Sequence, residues 1–239
     1  INGENANIEK ILHKYTKKIC VIFHFGEFSR IYQSFLQIKK CLNYNLSGSF
    51  QVINYAAKNK IKIIYSASSS VIGNKGKDQN LSPYAWTKAK NIELIKNFSS
   101  WYKLKYEIVY FYNVYGPGQI LNSHMSAVIG IFQTQYKKNK PLTVVKPGTQ
   151  KRDFTHISDI VNGCYLAWKK GKQNEYMLGT SKQNSILGIA KMFKSKIKFL
   201  PPRKGERFGT SIPNNLAYTH LGYKPRIDIK DYINNFINE

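Results

Sequence analysis

Apolar residues along this chain alternate between short continuous runs and longer stretches with helical spacing. The continuous runs cover residues 19–25, 61–65 and 106–112. Such runs are typical of strands that are buried on both faces of a parallel sheet. Between them, residues 30–58 carry apolar side chains at helical spacing and predict one long helix. Ser82 followed by Pro83 predicts the start of a second helix, which continues to about Tyr102.

This order of strand, helix and strand predicts an α/β fold, a Rossmann-like doubly wound parallel sheet. After Gly118 the elements become shorter and mixed, with a predicted helix over 123–136 and a strand over Leu142–Val145. We therefore expect a smaller mixed α/β domain that closes over the sheet. The predicted boundaries are residues 1–116 plus 151–178 for the sheet domain and residues 117–150 plus 179–239 for the smaller one.

Three segments with chemically active side chains follow the three predicted strands. They are residues 24–27, 66–70 and 113–117. In parallel α/β sheets, ligands bind beyond the carboxyl ends of the strands. We expect these three segments to open onto one crevice.

A candidate proton-transfer pair lies at the start of the second long helix. Tyr84 and Lys88 are four residues apart, so on a helix their side chains share one face. A nearby ammonium favours the phenolate, which is what a general base needs. A hydroxyl of the serine run at 66–70 could hold a substrate oxygen while the proton moves.

Composition changes this picture little. The 239 residues carry a formal net charge of +24, which suits an anionic substrate such as a nucleotide sugar. The lysines are scattered singly or in pairs, so nucleic-acid binding is not favoured, although a basic surface recruited for an anionic polymer remains an alternative. Cys20, Cys41 and Cys164 are far apart and indicate buried reduced thiols in a cytoplasmic protein. No run of residues is long and apolar enough to predict a membrane span.

Four motifs in this order resemble the extended short-chain dehydrogenase/reductase superfamily, specifically its NAD-dependent nucleotide-sugar epimerases and dehydratases. They are Ser66-Ala67-Ser68, Tyr84-x-x-x-Lys88, Tyr112-Asn113-Val114-Tyr115-Gly116-Pro117-Gly118 and Arg152-Asp153-Phe154-Thr155-His156-Ile157-Ser158-Asp159. The UDP-glucose 4-epimerase type is the most similar. The resemblance extends over nearly the whole chain.

The resemblance implies a catalytic set and a cofactor set. Tyr84 would be the base, Lys88 would bind the nicotinamide ribose, and Ser68 would be the catalytic serine, with Ser69 as the alternative. The cofactor-binding residues implied for NAD are Phe25, Gly26, Asn45, Ser66, Tyr84, Lys88 and Tyr112. Phe25 and Tyr112 could equally be core aromatics.

On the substrate side, the resemblance implies that Ser68, Asn113, Arg152 and Arg203 contact the nucleotide sugar. Guanidinium groups suit a diphosphate because they offer paired donors and a permanent charge. Arg152 could instead pair with Asp153 or Asp159. His24 and His156 are interpreted as structural, since no metal-ligand spacing accompanies them.

The implied reaction is epimerisation through a 4-keto intermediate. Tyr84 would take a proton from a sugar hydroxyl while NAD⁺ accepts a hydride from the same carbon. A 4,6-dehydratase is the first alternative, but that family carries an Asp-Glu pair where this chain has Ser69 and Ser70. A 4-reductase or a decarboxylating relative is a further alternative.

The chain departs from the family pattern in three places. The glycine-rich G-x-x-G-x-x-G turn for the NAD pyrophosphate is missing, and so are about 55–60 residues of the family's first half, by the usual size of such units. Glu27 stands where relatives carry a small residue, and residues 73–81 form a shorter segment than usual. An inactive fragment is therefore a hypothesis of a different class. The resemblance also implies a homodimer formed by the helices of residues 30–58 and 83–102.

Overall fold

The computed structural model describes residues 8–209 and 215–239, except for the side chains of residues 74–76. The strands are β1 (Val21–His24), β2 (Lys62–Ser68), β3 (Tyr106–Phe111), β4 (Asn113–Tyr115), β5 (Leu142–Val145), β6 (Lys151–His156), β7 (Glu175–Leu178), β8 (Gln183–Ser185) and β9 (Ile197–Leu200). The α-helices are α1 (Ile8–Leu12), α2 (Ile31–Leu36), α3 (Ile38–Leu42), α4 (Ser49–Lys58), α5 (Ser69–Ile72), α6 (Pro83–Tyr102), α7 (Val128–Lys137), α8 (Ile157–Lys170), α9 (Ile186–Met192), α10 (Leu216–Leu221) and α11 (Ile229–Asn238). None of the helices within these described residues is long and apolar enough to cross a membrane.

A parallel sheet with the order β1-β2-β3-β7 forms the centre of the molecule. Its residues point alternately into two apolar layers. Ile63 and Ile108 pack with α4 and α6 on one face, whereas Ile64 and Val109 pack with α8 and α10 on the other. The predicted α/β class and parallel sheet are confirmed, and the near-continuous apolar strands follow from burial on both faces.

Two smaller sheets form a second group of elements around a separate apolar cluster. The strand order is β4-β6-β8 in one and β5-β9 in the other. Phe132, Phe193 and Ile233 are completely buried in this cluster. The sequence analysis predicted the strand at Leu142–Val145 with its correct bounds but missed β4, β6, β8 and β9. β4, β8 and β9 are only three or four residues long, and β6 begins with three charged residues, Lys151, Arg152 and Asp153. The proposed domain boundaries remain a prediction.

The stretch at 30–58 is not one helix, contrary to the prediction. Gln37 leaves the helical region, with φ of −127° and ψ of 49°, and thereby separates α2 from α3. Residues Asn43–Gly48 then form a π-helical segment before α4 begins. A helical apolar pattern persists through such breaks, so spacing alone does not detect them. π-helical turns are frequent at functional sites, and this one contains the predicted cofactor residue Asn45.

Helix α6 begins as the sequence predicted. Ser82 accepts a hydrogen bond from the backbone N–H of Ala85 at 3.1 Å, and Pro83 occupies the first turn, where its missing N–H costs nothing. This start places Tyr84 and Lys88 in the first two turns, next to the end of β2.

The structure contradicts the predicted burial of one cysteine. Cys41 and Cys164 are buried free thiols, as expected, but Cys20 is exposed. Cys20 directly precedes β1, which is the edge strand of the central sheet in the described part of the chain.

Candidate functional site

A cavity of about 500 Å³ lies beyond the carboxyl ends of β1, β2 and β3, between the central sheet and the second group of elements. All three segments that the sequence analysis selected contribute to its wall. Most of the predicted site residues also line it: Phe25, Ser66, Ser68, Tyr84, Lys88, Tyr112, Asn113, Arg152 and Arg203. The expected convergence on one crevice is therefore observed.

Lys88 is buried in the wall of this cavity. The whole residue is 3% exposed. Its ammonium donates to the backbone carbonyl of Ser66, forms an ion pair with Glu27, and lies 4.9 Å from the centre of the Tyr65 ring. Tyr84, one helical turn earlier, is half-buried and reaches the cavity. The pair thus has one fixed, charged member and one accessible member, as general-base chemistry requires.

Glu27 compensates the charge of Lys88. Tyr65 O–H donates to both carboxylate oxygens at 3.2 Å, and Asn91 Nδ2 donates to Oε1 at 2.9 Å. Ser49 Oγ donates to the same oxygen. Burial raises the pKa of the Glu27 carboxyl, but Lys88 and His24 outweigh it and lower that pKa to about 2.

The serine run forms a tight turn at the end of β2. Ser68 Oγ accepts hydrogen bonds from the Ser70 N–H at 3.2 Å and from Ser70 Oγ at 2.9 Å. These bonds leave the Ser68 O–H available to donate into the cavity. Ser69, the alternative catalytic serine, accepts from Arg207 through its carbonyl oxygen at 2.7 Å. Both serines line the cavity, and the assignment of Ser68 as catalytic stays a prediction.

The other predicted cofactor residues are distributed around the cavity mouth and behind its wall. Phe25 is 42% exposed, and a Cβ built on Gly26 would meet no atom within 4 Å, so this backbone is open to a ligand. Tyr112 is buried, which raises the pKa of its phenol. Asn45 is completely buried outside the lining residues and donates to Thr87 Oγ1 at 2.9 Å.

Arginine side chains form a second set of residues in the cavity wall. Arg152 Nη2 donates to Glu206 Oε1 at 2.7 Å, so its acidic partner is Glu206 and not Asp153 or Asp159, the partners named as the alternative to phosphate binding. Those two carboxylates instead accept backbone N–H groups of neighbouring loops. Burial and the nearby Arg207 lower the pKa of Arg152 to about 10. Arg203 is exposed, with its guanidinium 5.7 Å from the Tyr32 ring.

Sequence reasoning missed three residues of this cavity. It discussed Glu27 only as an irregularity and did not select Arg30 or Arg207, although all three line the wall. Arg207 is 5% exposed, and its Nε has no hydrogen-bond partner among the described residues. A second arginine four positions after Arg203 in the same loop was a usable signal. For Glu27, the signal was an acid directly after a buried apolar strand.

His24 and His156 each make a hydrogen bond within the fold, and their interpretation as structural residues stays a prediction. His24 Nε2 lies 2.8 Å from Ser49 Oγ, and His156 Nδ1 accepts from the Ser158 N–H at 3.2 Å to cap α8. No cluster of three or more potential metal ligands occurs within residues 8–209 and 215–239.

Sequence comparison identifies the family. A profile described as the NAD dependent epimerase/dehydratase family matches residues 3–179. This chain belongs to the NAD-dependent epimerase/dehydratase family. Family members with similar sequences include a putative UDP-glucose 4-epimerase of Methanocaldococcus jannaschii, which is 29% identical over 81% of this chain and 68% of its own length. The bovine dTDP-D-glucose 4,6-dehydratase is 28% identical over 81% of this chain and 56% of its own length.

Solved structures of the family share this architecture. A UDP-glucuronic acid 4-epimerase from Bacillus cereus, in complex with UDP-glucuronic acid and NAD, superposes with a TM-score of 0.86 and 26% identity. The match covers 98% of this chain and 79% of that one. The UDP-glucose 4-epimerase of Thermotoga maritima gives a TM-score of 0.88 at 21% identity, covering 97% of this chain and 81% of that one. The predicted resemblance to nucleotide-sugar epimerases and dehydratases is thus confirmed.

Proposed function

We propose that this protein is an NAD-dependent epimerase of a nucleotide sugar of the UDP-glucose/UDP-galactose type, acting through a 4-keto intermediate. The observation that carries the proposal is a single cavity with two chemically different ends. We call the lining residues Tyr84, Lys88 and Ser68 the proton-transfer end, and the lining residues Arg152, Arg203 and Arg207 the arginine end. Arg207 adjoins both sets, because its guanidinium donates to the Ser69 carbonyl. This arrangement suits a substrate with a reactive hydroxyl at one end and a diphosphate at the other.

The residues of the proton-transfer end have complementary roles. Ser68 donates a hydrogen bond to the sugar hydroxyl oxygen, and Tyr84 removes or returns the hydroxyl proton. Lys88 supplies the positive charge that favours the phenolate form of Tyr84. NAD, when bound, supplies the hydride acceptor and donor for the sugar carbon.

The described residues fit the nicotinamide end of NAD. The open backbone at Gly26 and the exposed ring of Phe25 leave room for the cofactor beside the end of β1. Lys88 and Ser66 present polar groups to a ribose diol, and Tyr112 would lie against the nicotinamide. Asn45 would act from behind the cavity wall by holding the π-helical turn, since its amide oxygen accepts from the Phe28 N–H at 2.7 Å.

The diphosphate is assigned to the arginine end. Arg152 and Arg203 provide charged donors, and the half-buried Asn113 on β4 adds an amide donor. Arginine forms paired, charge-assisted hydrogen bonds to phosphate oxygens. The strand β5 contributes Thr143 and Val145 to the cavity wall, where the base of the nucleotide would pass.

The state of the carboxylates favours epimerisation over elimination of water. A dehydratase needs an acid and a base beside the serine. Among the described lining residues, the carboxylates are Glu27 and Glu206, and each is ion-paired, with Lys88 and Arg152 respectively. Ser69 and Ser70 occupy the positions where dehydratases carry their acidic pair.

Product analysis tests the proposal. Purified protein supplied with UDP-glucose and NAD⁺ should form UDP-galactose, and the Tyr84→Phe variant should not. A 4-keto-6-deoxy sugar as the product would replace the epimerase assignment with a dehydratase. Absence of turnover together with absence of NAD⁺ binding would favour the inactive-fragment hypothesis.

A homodimer is part of the proposal. The helices of residues 30–58 and 83–102 leave large apolar side chains exposed, namely Leu36, Ile38, Phe50, Trp101 and Tyr102. An apolar surface of this kind commonly marks a protein interface. Analytical ultracentrifugation should show a dimer, and sedimentation as a monomer at every concentration would contradict it.

A further inference from the structure

We propose that Glu27 is the positioning residue of the proton-transfer end: its buried carboxylate fixes the ammonium of Lys88 one helical turn from Tyr84. This inference rests on the proposed function, because it concerns the same site. Glu27 lies outside the three predicted catalytic side chains and contacts Lys88, not the reacting hydroxyl.

The Glu27 carboxylate is buried and is held by several hydrogen bonds. The Glu27 and Lys88 side chains are 1% and 4% exposed, so water does not compensate their charges. The carboxylate accepts from Tyr65, Asn91 and Ser49 in addition to the ion pair. The hydrogen bonds available to its two oxygens are therefore met by named donors, which is the condition for a buried ion to be stable.

These partners come from different elements of the sheet domain. Glu27 follows β1, Ser49 begins α4, Tyr65 lies on β2, and Asn91 lies on α6 one turn after Lys88. Asn91 Nδ2 also donates to the carbonyl of Asn45 in the π-helical segment. Every donor to the carboxylate therefore belongs to a packed element, and Lys88 is held by Glu27 and by the Ser66 carbonyl together.

Four titratable groups face the Glu27 carboxylate. They are the Lys88 ammonium, the His24 imidazole at 3.6 Å, the Tyr65 phenol and, through space, the Cys41 thiol. The lowered pKa of Glu27 means that its carboxylate stays ionised at any working pH. A buried ammonium without a counter-ion tends to lose its proton. Glu27 is the carboxylate that compensates the Lys88 ammonium. Arg30 and Arg207 are further positive charges that interact with Tyr84.

The test is the variant Glu27→Gln, which keeps the shape and removes the charge. Tyrosinate absorbance is titrated in the purified protein, and the same titration in a Tyr84→Phe background is subtracted to isolate Tyr84. We expect the pH at which Tyr84 ionises to rise by about one unit or more, a tenfold change in phenolate fraction. The acid limb of the kcat profile should move with it, whereas KM should change by less than about twofold.

Glu107→Gln is the matched control. Glu107 is completely buried, pairs with Lys62 at 2.8 Å, and accepts the Gln173 and Asn174 N–H groups, but it lies outside the cavity. This variant should lose stability in the same way and leave the Tyr84 titration unchanged. If Glu27→Gln does not fold, Glu27→Asp keeps the charge at a shorter reach and should give a smaller shift in the same direction.

Each outcome is decisive for one of the two proposals. An unchanged Tyr84 titration and an unchanged pH profile in Glu27→Gln would overturn the positioning role, even if the wild type epimerises. A shifted titration in a protein that does not convert UDP-glucose would uphold the positioning role and remove the proposed function. Equal shifts in Glu27→Gln and Glu107→Gln would also overturn the role, because they would report a general loss of packing.

Discussion

The two ends of the cavity differ in how completely their charges are paired within the protein. At the proton-transfer end, Lys88 is buried against Glu27 and the Ser66 carbonyl. At the arginine end, Arg203 is exposed and Arg207 retains a buried Nε without a hydrogen bond in the described structure. Arg152 lies close enough to Arg207 for the two charges to repel.

Under the proposed function, the proton-transfer end carries out the chemistry and the arginine end binds the diphosphate. The proton-transfer end is organised before any ligand arrives, which is what lowers a reaction barrier. The arginine end holds like charges whose repulsion an incoming diphosphate would relieve. Changes at the first end should therefore reduce kcat, and changes at the second should raise KM.

The largest expected effect is at Tyr84. Tyr84→Phe removes the proton carrier and should reduce kcat on the order of 10²–10⁴-fold, the usual contribution of a general base. Its substrate affinity should stay close to that of the wild type. Tyr102→Phe is the matched control, because Tyr102 ends the same helix and is 62% exposed. Comparable losses in both variants would show that α6 matters only as a structural element.

The second effect concerns the stability of the buried pair. Lys88→Met leaves the Glu27 carboxylate buried without its partner, which should reduce the free energy of unfolding by about 3–5 kcal/mol. The double variant Glu27→Leu with Lys88→Met removes both charges and should recover much of that stability without activity. Denaturant unfolding measures both. Additive losses in the double variant would mean that the two side chains do not interact.

At the arginine end, Arg152→Ala should raise KM by about 10- to 100-fold, since a hydrogen bond to a charged group contributes about 1.5–3 kcal/mol. The change in kcat should be smaller. Lys151→Ala is the control, because Lys151 precedes Arg152 on β6 and its side chain is exposed. Steady-state kinetics with the nucleotide sugar separate the two parameters, and a loss confined to kcat would contradict the division between the ends.

The smallest expected effect is on acid stability. Glu27 has a folded-state pKa of about 2, below its ordinary value of 4.5. A carboxyl with a lowered pKa stabilises the fold above its unfolded-state pKa, and this contribution is lost as the pH falls towards the folded-state value. The stability difference between wild type and Glu27→Gln should shrink between about pH 4.5 and pH 2, on the order of 2–3 kcal/mol, since each pKa unit corresponds to about 1.4 kcal/mol. A constant difference across this range would argue against the assignment.

The sequence predicted those features that depend on local pattern. The apolar strands, the capped start of α6 at Ser82 and Pro83, and the convergence of three segments at one sheet edge all follow from short-range rules. Ion pairs between residues that are distant in sequence could not be predicted from these short-range rules. Glu27 and Lys88 are 61 residues apart, and Arg152 meets Glu206 across 54 residues.

The break in residues 30–58 shows the same limit. Apolar spacing predicted a single helix, but the chain leaves helical geometry at Gln37 and takes up a π-helical segment at Asn43–Gly48. The reason lies in tertiary contacts, since Asn45 must turn inward to bond Phe28 and Thr87. Spacing records which face is apolar and carries no information about such inward polar bonds.

Arg207 has a mechanical consequence. Its side chain leaves the loop after β9, and its guanidinium donates to the Ser69 carbonyl and lies 3.4 Å from Ser69 Oγ. Arg207 thus connects the loop that carries Arg203 with the turn that carries Ser68. Any outward swing of that loop would stretch these bonds and pull on the serine turn. The position of the loop that carries Arg203 and the geometry of the serine turn are therefore linked through one side chain.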